Sequence, residues 1–528
     1  MNRLWWQVRS SISGNVFVAA CAGVANLAAL GSARAQGNSD FFRPGNLVVS
    51  RSVFSMNPAF PPYPFVWNQD LTDASFGITS RILLDQLTTA GSLLNTLEVP
   101  NSSQNGVPPT KDQMVTSFSS KSELALNLST DGEFLTFLGY LAPIDATDVS
   151  NTNTPLAFDP TNPVTGFAYR VVAQVDAHGK FHFTKTNAYS GNNGRAAILH
   201  NTDGSNVYFT AGNAGNGANP QPAEIVLGAG TQFIPAEVKA LVAQNPDLPT
   251  PLGSFSVTQL GAKADKVGKD DNFRGLTIFD DVVYLTKGSG GNGVNTVYFI
   301  DTSAQGVCPN GIGLPQPGAS LPVAPLAYDP SQVATTGLPS NMCILNGFPS
   351  TLNSKLTKKT TAYPFGIWFA NATTVYVADE GDGDVADANV GMPSGLQKWV
   401  LQNGKWNRVY TLQTGLGLGA TYSFPGSQNY PTGINPATGG NWAPLTDGLR
   451  NITGRVNGDG TVTIWAVTST ASGNGDPGAD PNKLVMITDV LANTSPAVGA
   501  GEIFITVRTA GFGEVLRGVS FTPGSFAP

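Results

Sequence analysis

The chain predicts an all-β fold, a β-propeller of six four-stranded blades, with seven blades as the alternative. Three observations carry this. Composition comes first: of 528 residues only 12% are charged, with 60 glycines and 37 prolines, which suits many short strands joined by turns and argues against long helices. Second, hairpin-like pairs recur at Glu123-LALNLSTDGEFLTFLGYL, Arg195-AAILHNTDGSNVYFTAG, Arg274-GLTIFDDVVYLTKG, Pro364-FGIWFANATTVYVAD and Arg450-NITGRVNGDGTVTIWAVTS. Their inner turns hold Asp-Gly or Asn, the residues tight β-turns require. Third, the two ends complement each other. Glu514-VLRGVSFTP reads as an innermost strand with nothing behind it, and Asn46-LVVSRSVF followed by Arg81-ILLDQLTTAGSLLNTLEV reads as the strands it lacks.

The N-terminus carries an export signal. Arg3 and Arg9 are followed by the apolar run Val16 to Leu30 and by Ala33-Arg-Ala35, an A-x-A cleavage site. Residues 1–35 are therefore a signal peptide and 36–528 a single propeller domain, periplasmic or extracellular. Val18-Ala-Ala-Cys21 resembles a lipobox, so a lipid on Cys21 is the minor alternative. No later stretch is long and apolar enough to span a bilayer as a helix. The chain has 29 basic and 36 acidic residues, a formal net charge of -7, and cleavage removes three arginines and no acid. Such a surface suits neither nucleic acid nor anionic membranes; the expected partner is a small anionic molecule or a glycan, and the expected state a monomer.

Cleavage leaves Cys308 and Cys343, expected to form one structural disulfide around a Pro/Gly-rich insertion at 303–363. The blades follow at roughly 70–85-residue spacing, the grammar of propellers. They are 514–522 with 46–99, then 122–187, 195–261, 274–348, 365–413 and 450–508. In the fourth, the outer strand must come from near Met342-CILNGF. Tyr169-RVVAQVDAHGKFHFTKT and Gln397-KWVLQNGKWNRVYTLQ are clean outer hairpins. Pairing of Glu514–Thr522 with Asn46–Phe54 would close the ring and remove open sheet edges.

This repeat pattern resembles the six-bladed propellers of the TolB, NHL-repeat and lactonase/phosphotriesterase-like type, and a group of exported microbial propellers of unassigned activity. The resemblance implies a choice among calcium-dependent lactonases, phytase-like phosphatases, quinoprotein sugar dehydrogenases and interaction scaffolds, and fold alone does not choose.

Four innermost strands begin with arginine: Arg195, Arg274, Arg450 and Arg517. Phe365 takes that place in the fifth blade, and Lys121 or Ser122 lies near it in the second. On one axis these guanidinium groups would form a funnel for a carboxylate or phosphate; alternatively each pairs with an acid on a neighbouring blade and pins the ring. The loops after the second strands, Gly212-NAGNG, Gly288-SGGNG, Asp379-EGDGD and Ser472-GNGDPGAD, face the same mouth. Asp379, Glu380, Asp382 and Asp384, with Asp387, Asp476 and Asp480 beside them, are oxygen donors at calcium-like spacing, though the loop is no EF-hand because Val390 stands at its twelfth position. The other reading is a solvated turn that balances the arginines.

His178, His182 and His200 are the only histidines and suit neither a His-based metal site nor a triad. There is no C-x-x-C-H, G-x-x-x-x-G-K-[ST] or G-x-S-x-G. Asn127, Asn371 and Asn451 match the glycosylation pattern by chance. Trp368, Trp399, Trp406 and Trp442 read mostly as core or blade-face residues. Two functions follow: a calcium-assisted hydrolase of phosphoesters, esters or lactones, or a non-catalytic propeller that recognises a glycan or protein. A quinoprotein-type dehydrogenase is third, weakened by the scarcity of histidine.

Overall fold

The computed structural model describes residues 40–54, 78–106, 108–117, 123–215, 230–242, 272–288, 293–303, 308–324, 326, 338, 341–384, 394–422, 433–434, 436, 439–473, 480–511 and 513–525. Within them six sheets follow one another in chain order, each led by an innermost strand and antiparallel except for two short outer additions, Lys239–Ala240 in blade 2 and Ile312–Gly313 in blade 4. Blade 1 is shared by the two ends of the chain. Its inner strand Glu514–Phe521 pairs antiparallel with Leu47–Val53, which pairs with Thr79–Leu87 and then Leu93–Glu98. The expected closure is present, and the count is six.

Blade 2 runs from Asn127–Leu128 through Phe134–Tyr140, Arg170–Asp176 and Phe181–Thr186, with Lys239–Ala240 added in parallel outside. In blade 3 the described strands are Gly194–His200, Val207–Gly212 and Thr231–Pro235. Blade 4 runs Phe273–Phe279, Val282–Lys287, Thr296–Ile300 and Met342–Leu345, so its outer strand does come from the Met342 segment. Blade 5 is Pro364–Asn371, Thr374–Asp379, Gly395–Gln402 and Lys405–Leu412. Blade 6 is Leu445–Val456, Thr461–Ala471, Lys483–Val490 and Ile505–Thr509.

The strands are apolar on both faces because each sheet is covered twice. In blade 4, Val283 and Leu285 pack with Ile198 and Phe209 of blade 3, while Val282 and Tyr284 pack with Phe369 and Val377 of blade 5. One period-2 alternation thus supplies two apolar layers. The layer between blades 6 and 1 joins Trp465 and Val467 to Leu47, Val49 and Leu516, so burial as well as hydrogen bonding closes the ring.

Near the axis the blades are latched by hydroxyls. Ser50 Oγ accepts from Gly518 N (2.8 Å) and donates to Leu124 O of blade 2 (2.8 Å). Thr286 Oγ1 accepts from Gly275 N (2.8 Å) and donates to Phe365 O of blade 5 (2.5 Å). Both glycines are required by this close approach: a Cβ at Gly275 would lie 2.0 Å from Phe365 O, and one at Gly518 2.3 Å from Leu124 O.

Cys308 and Cys343 are bridged, with Cα atoms 5.9 Å apart. Cys343 belongs to the outer strand of blade 4, so the bridge staples the insertion to the ring. No helix among the described residues is long and apolar enough to cross a membrane. The signal sequence and Cys21 lie outside the described residues.

Candidate axial site

Each arginine sits at a break in its inner strand. The pairing register slips at Arg195, at Arg274–Gly275, at Arg450–Asn451 and at Arg517, and at Phe365–Gly366 in blade 5. A bulge of this kind adds an unpaired residue and re-aims its side chain. Recurring at one height of the ring, it turns the four arginines into a common electrostatic field. Arg195 feels Arg274, Arg274 feels Arg450, and Arg517 feels Arg450, each as repulsion. Arg274 also stands over the Phe365 ring, its guanidinium carbon 6.0 Å from the ring centroid.

Two carboxylates enter this belt. Glu380, just past the second strand of blade 5, reaches Arg450 Nε at 3.1 Å and Arg274 Nε at 3.8 Å, and so bridges blades 4 and 6. The other is Glu123 of blade 2. Lys121 and Ser122, the residues expected at this position, lie outside the described residues; Leu124 takes the register, its carbonyl meeting Gly518 as Phe365 O meets Gly275, and Glu123 is the residue before it. Its carboxylate accepts from Thr116 Oγ1 (2.8 Å), Ser117 N (3.0 Å) and the Tyr140 hydroxyl. Burial pushes its pKa up, and Arg517 opposes that rise.

The arginines are not equivalent. Arg517 donates from Nε to Ser52 Oγ (3.1 Å), and burial lowers its pKa to about 10 against the pull of Glu123. Burial likewise lowers Arg274, opposed by Glu380. Arg195 is only 3% exposed; its Nη1 donates to Phe273 O (2.7 Å) and to Asn272 Oδ1, both neutral. Its Nε is buried with no hydrogen-bond partner among the described residues. Burial, then repulsion from Arg274, drive its pKa well down against the more distant pull of Glu123 and Glu380. Arg170, also buried, shows a satisfied guanidinium: it donates to the carbonyls of Ala168, Ser150, Thr152 and Asn192, tying the loop before its strand to the segment that leads into blade 3.

The acids proposed for calcium are dispersed in their roles. Asp379 is fully buried and accepts from Tyr363 N (2.8 Å), Gln397 Nε2 (3.1 Å) and Gly381 N (3.1 Å). Burial raises its pKa to about 6 despite those donors. Glu380 serves the arginines. Asp382 Oδ1 caps its own loop at Asp384 N (2.8 Å), and Asp480 accepts from Ser472 Oγ (2.7 Å). Among the described residues no three His, Cys, Asp or Glu side chains are grouped to hold a metal. Asp387 and Asp476 lie outside the described residues, as does much of the glycine-rich loops.

The arginines are legible in the sequence, and the contacts of Glu380 match the reading in which the acidic loop balances them, whereas Glu123 was not singled out. An acid one residue before the arginine-equivalent position of blade 2, which Leu124 holds, was the available signal. The same channel also contains a cavity of about 530 Å³ at the far ends of the inner strands, away from the arginines.

No protein-family model matches the chain, and no curated protein matches it in sequence. Among solved structures, extracellular domains 1–2 of Drosophila Semaphorin 1a match at 10% identity over 87% of this chain and 89% of that one, with a TM-score of 0.19. That score supports no argument about fold or function.

Proposed function

We propose that this chain is an exported propeller that binds a small oxyanion, a carboxylate or a phosphate, at the arginine belt on its axis. The observation that carries the reading is Arg195: a buried guanidinium whose described contacts are neutral oxygens and whose Nε has no partner among the described residues. Around it stand Arg274, Arg450 and Arg517, with Glu123 and Glu380 as the described carboxylates that meet them. A buried cation with no carboxylate at hydrogen-bond distance is costly, and an oxyanion supplies both charge and acceptor lone pairs. Where the anion binds, Arg195 and Arg274 hold it, while Arg450 stays committed to Glu380.

Titration calorimetry of the purified protein with inorganic phosphate and with citrate tests this. Binding to the parent, weakened at least tenfold in Arg195→Ala with an unchanged melting curve, supports the reading, since a charge-assisted contact contributes about 1.5–3 kcal/mol. No binding of either anion would leave the belt as a set of structural struts and the protein as a scaffold.

A further inference from the structure

The axial channel has a second end, and its chemistry is opposite to that of the belt. Each of the six inner strands contributes to the cavity of about 530 Å³ there, as does Leu321 of the disulfide-tied insertion. Thr277 and Thr453 stand three residues beyond Arg274 and Arg450 on the same strands, roughly 10 Å further along the axis at about 3.3 Å per residue. No Lys, Arg or His is among the described lining residues. The charges there are Asp280 and Asp281, the two exposed residues of the turn that closes the inner hairpin of blade 4. Both have positive φ, 49° and 56°, as the two-residue turn of a tight hairpin demands, which holds the pair at the cavity rim.

The wall between the acids is mixed. Thr277 and Thr453 are half-buried, and their hydroxyls have no hydrogen-bond partner among the described residues. Phe279, also half-buried, stacks on Phe369 with centroids 4.7 Å apart, and Ile198 adds aliphatic surface. An anion would meet two carboxylates and no cation here. A neutral ring bearing hydroxyls meets every feature. Its hydroxyls donate to the aspartates and exchange hydrogen bonds with the threonines, and its C–H faces lie on the aromatic and aliphatic wall. The volume is within the range of small-ligand pockets.

The geometry points to a second, independent site at this end of the channel, for a neutral carbohydrate the size of a mono- or disaccharide. It does not rest on the anion reading, because it shares no side chain with the arginine belt.

The test is titration of the purified full-domain protein with maltose, with N-acetylglucosamine and with tetramethylammonium chloride. At least one of the two sugars binds, at millimolar dissociation constant or tighter. Thr277→Val combined with Thr453→Val weakens it about tenfold, the expected effect of losing two hydrogen bonds. Arg195→Ala leaves it unchanged, which separates this site from the belt. Asp281→Asn, at an exposed turn, gives the same readout where the double valine variant does not fold. Three results overturn the proposal: neither sugar binds, sugar affinity is unchanged in the folded cavity variants, or tetramethylammonium binds in place of sugar.

Discussion

Arg450 Nε lies 3.1 Å from Glu380 Oε2, tying the bulge of blade 6 to the end of the second strand of blade 5. Both side chains are nearly buried, at 7% and 13% exposure, and Glu380 is shared with Arg274. Arg450 therefore acts as a strut, in contrast to Arg195 with its neutral partners.

Arg450→Ala is expected to destabilise the ring by about 3 kcal/mol, the low end for breaking a buried pair, because it leaves Glu380 with the more distant Arg274. Arg195→Ala removes a buried cation that has no carboxylate at hydrogen-bond distance and is expected to cost much less. Denaturant unfolding of the two variants side by side checks the contrast; equal losses would contradict it.

Deleting residues 514–528 removes the inner strand of blade 1 and exposes the edge of Leu47–Val53. It also strips Leu516, Val519 and Phe521 from the layer against Trp465. The truncated protein is expected to aggregate or to melt without cooperativity, whereas an unchanged calorimetric transition would remove the closure from the stability argument.

The Cys308–Cys343 bridge closes a loop with a sequence separation of 35. Chain-entropy arguments give such a loop about 3–4 kcal/mol of stabilisation. Reduction is expected to lower the melting temperature and to loosen the insertion together with the outer strand Met342–Leu345. Thiol labelling of denatured, non-reduced protein should find neither cysteine reactive; hydrogen exchange locates the loosened backbone.

Between blades 5 and 6, Lys398 and Asp489 form a fully buried pair at 2.8 Å, with the hydroxyls of Tyr376 and Tyr410 on the same carboxylate. Glu502 joins them, its pKa pushed up to about 8 by burial first and then by Asp489. Asp379 is raised to about 6 by burial. A carboxyl with a raised pKa keeps its proton longer in the folded chain than in the unfolded one. The resulting stabilisation is full below the ordinary carboxyl range and is lost as pH rises through the folded value. Stability is thus expected to decline from about pH 4.5 to about pH 8, and Glu502→Gln to flatten the upper half of that decline. Melting curves across this range decide it, and a variant with the parent's slope would exclude Glu502 as the source.

Local features of the chain were enough to determine the blades. A hairpin needs only alternating apolar residues and a turn residue that tolerates its backbone, so Asp280-Asp281 and Asn403-Gly404 mark strands wherever the rest of the chain goes. The arginine register was equally local, because four of the six inner strands repeat the same start, and so was the mutual fit of the two chain ends. The charges that answer the arginines were decided by tertiary structure alone. Glu380 meets Arg274 and Arg450 across 106 and 70 residues of sequence, and its neighbour Asp379, identical in local chemistry, turns the other way to bind Tyr363 N. The register slip at each bulge, together with the apposition of neighbouring blades, sets which acid faces the axis and which is buried in its own sheet. Neither is encoded in the spacing of the acids themselves, so a stretch that reads in sequence either as calcium ligands or as a turn balancing the arginines divides, in its described contacts, into a strut, a buried anchor and a loop cap.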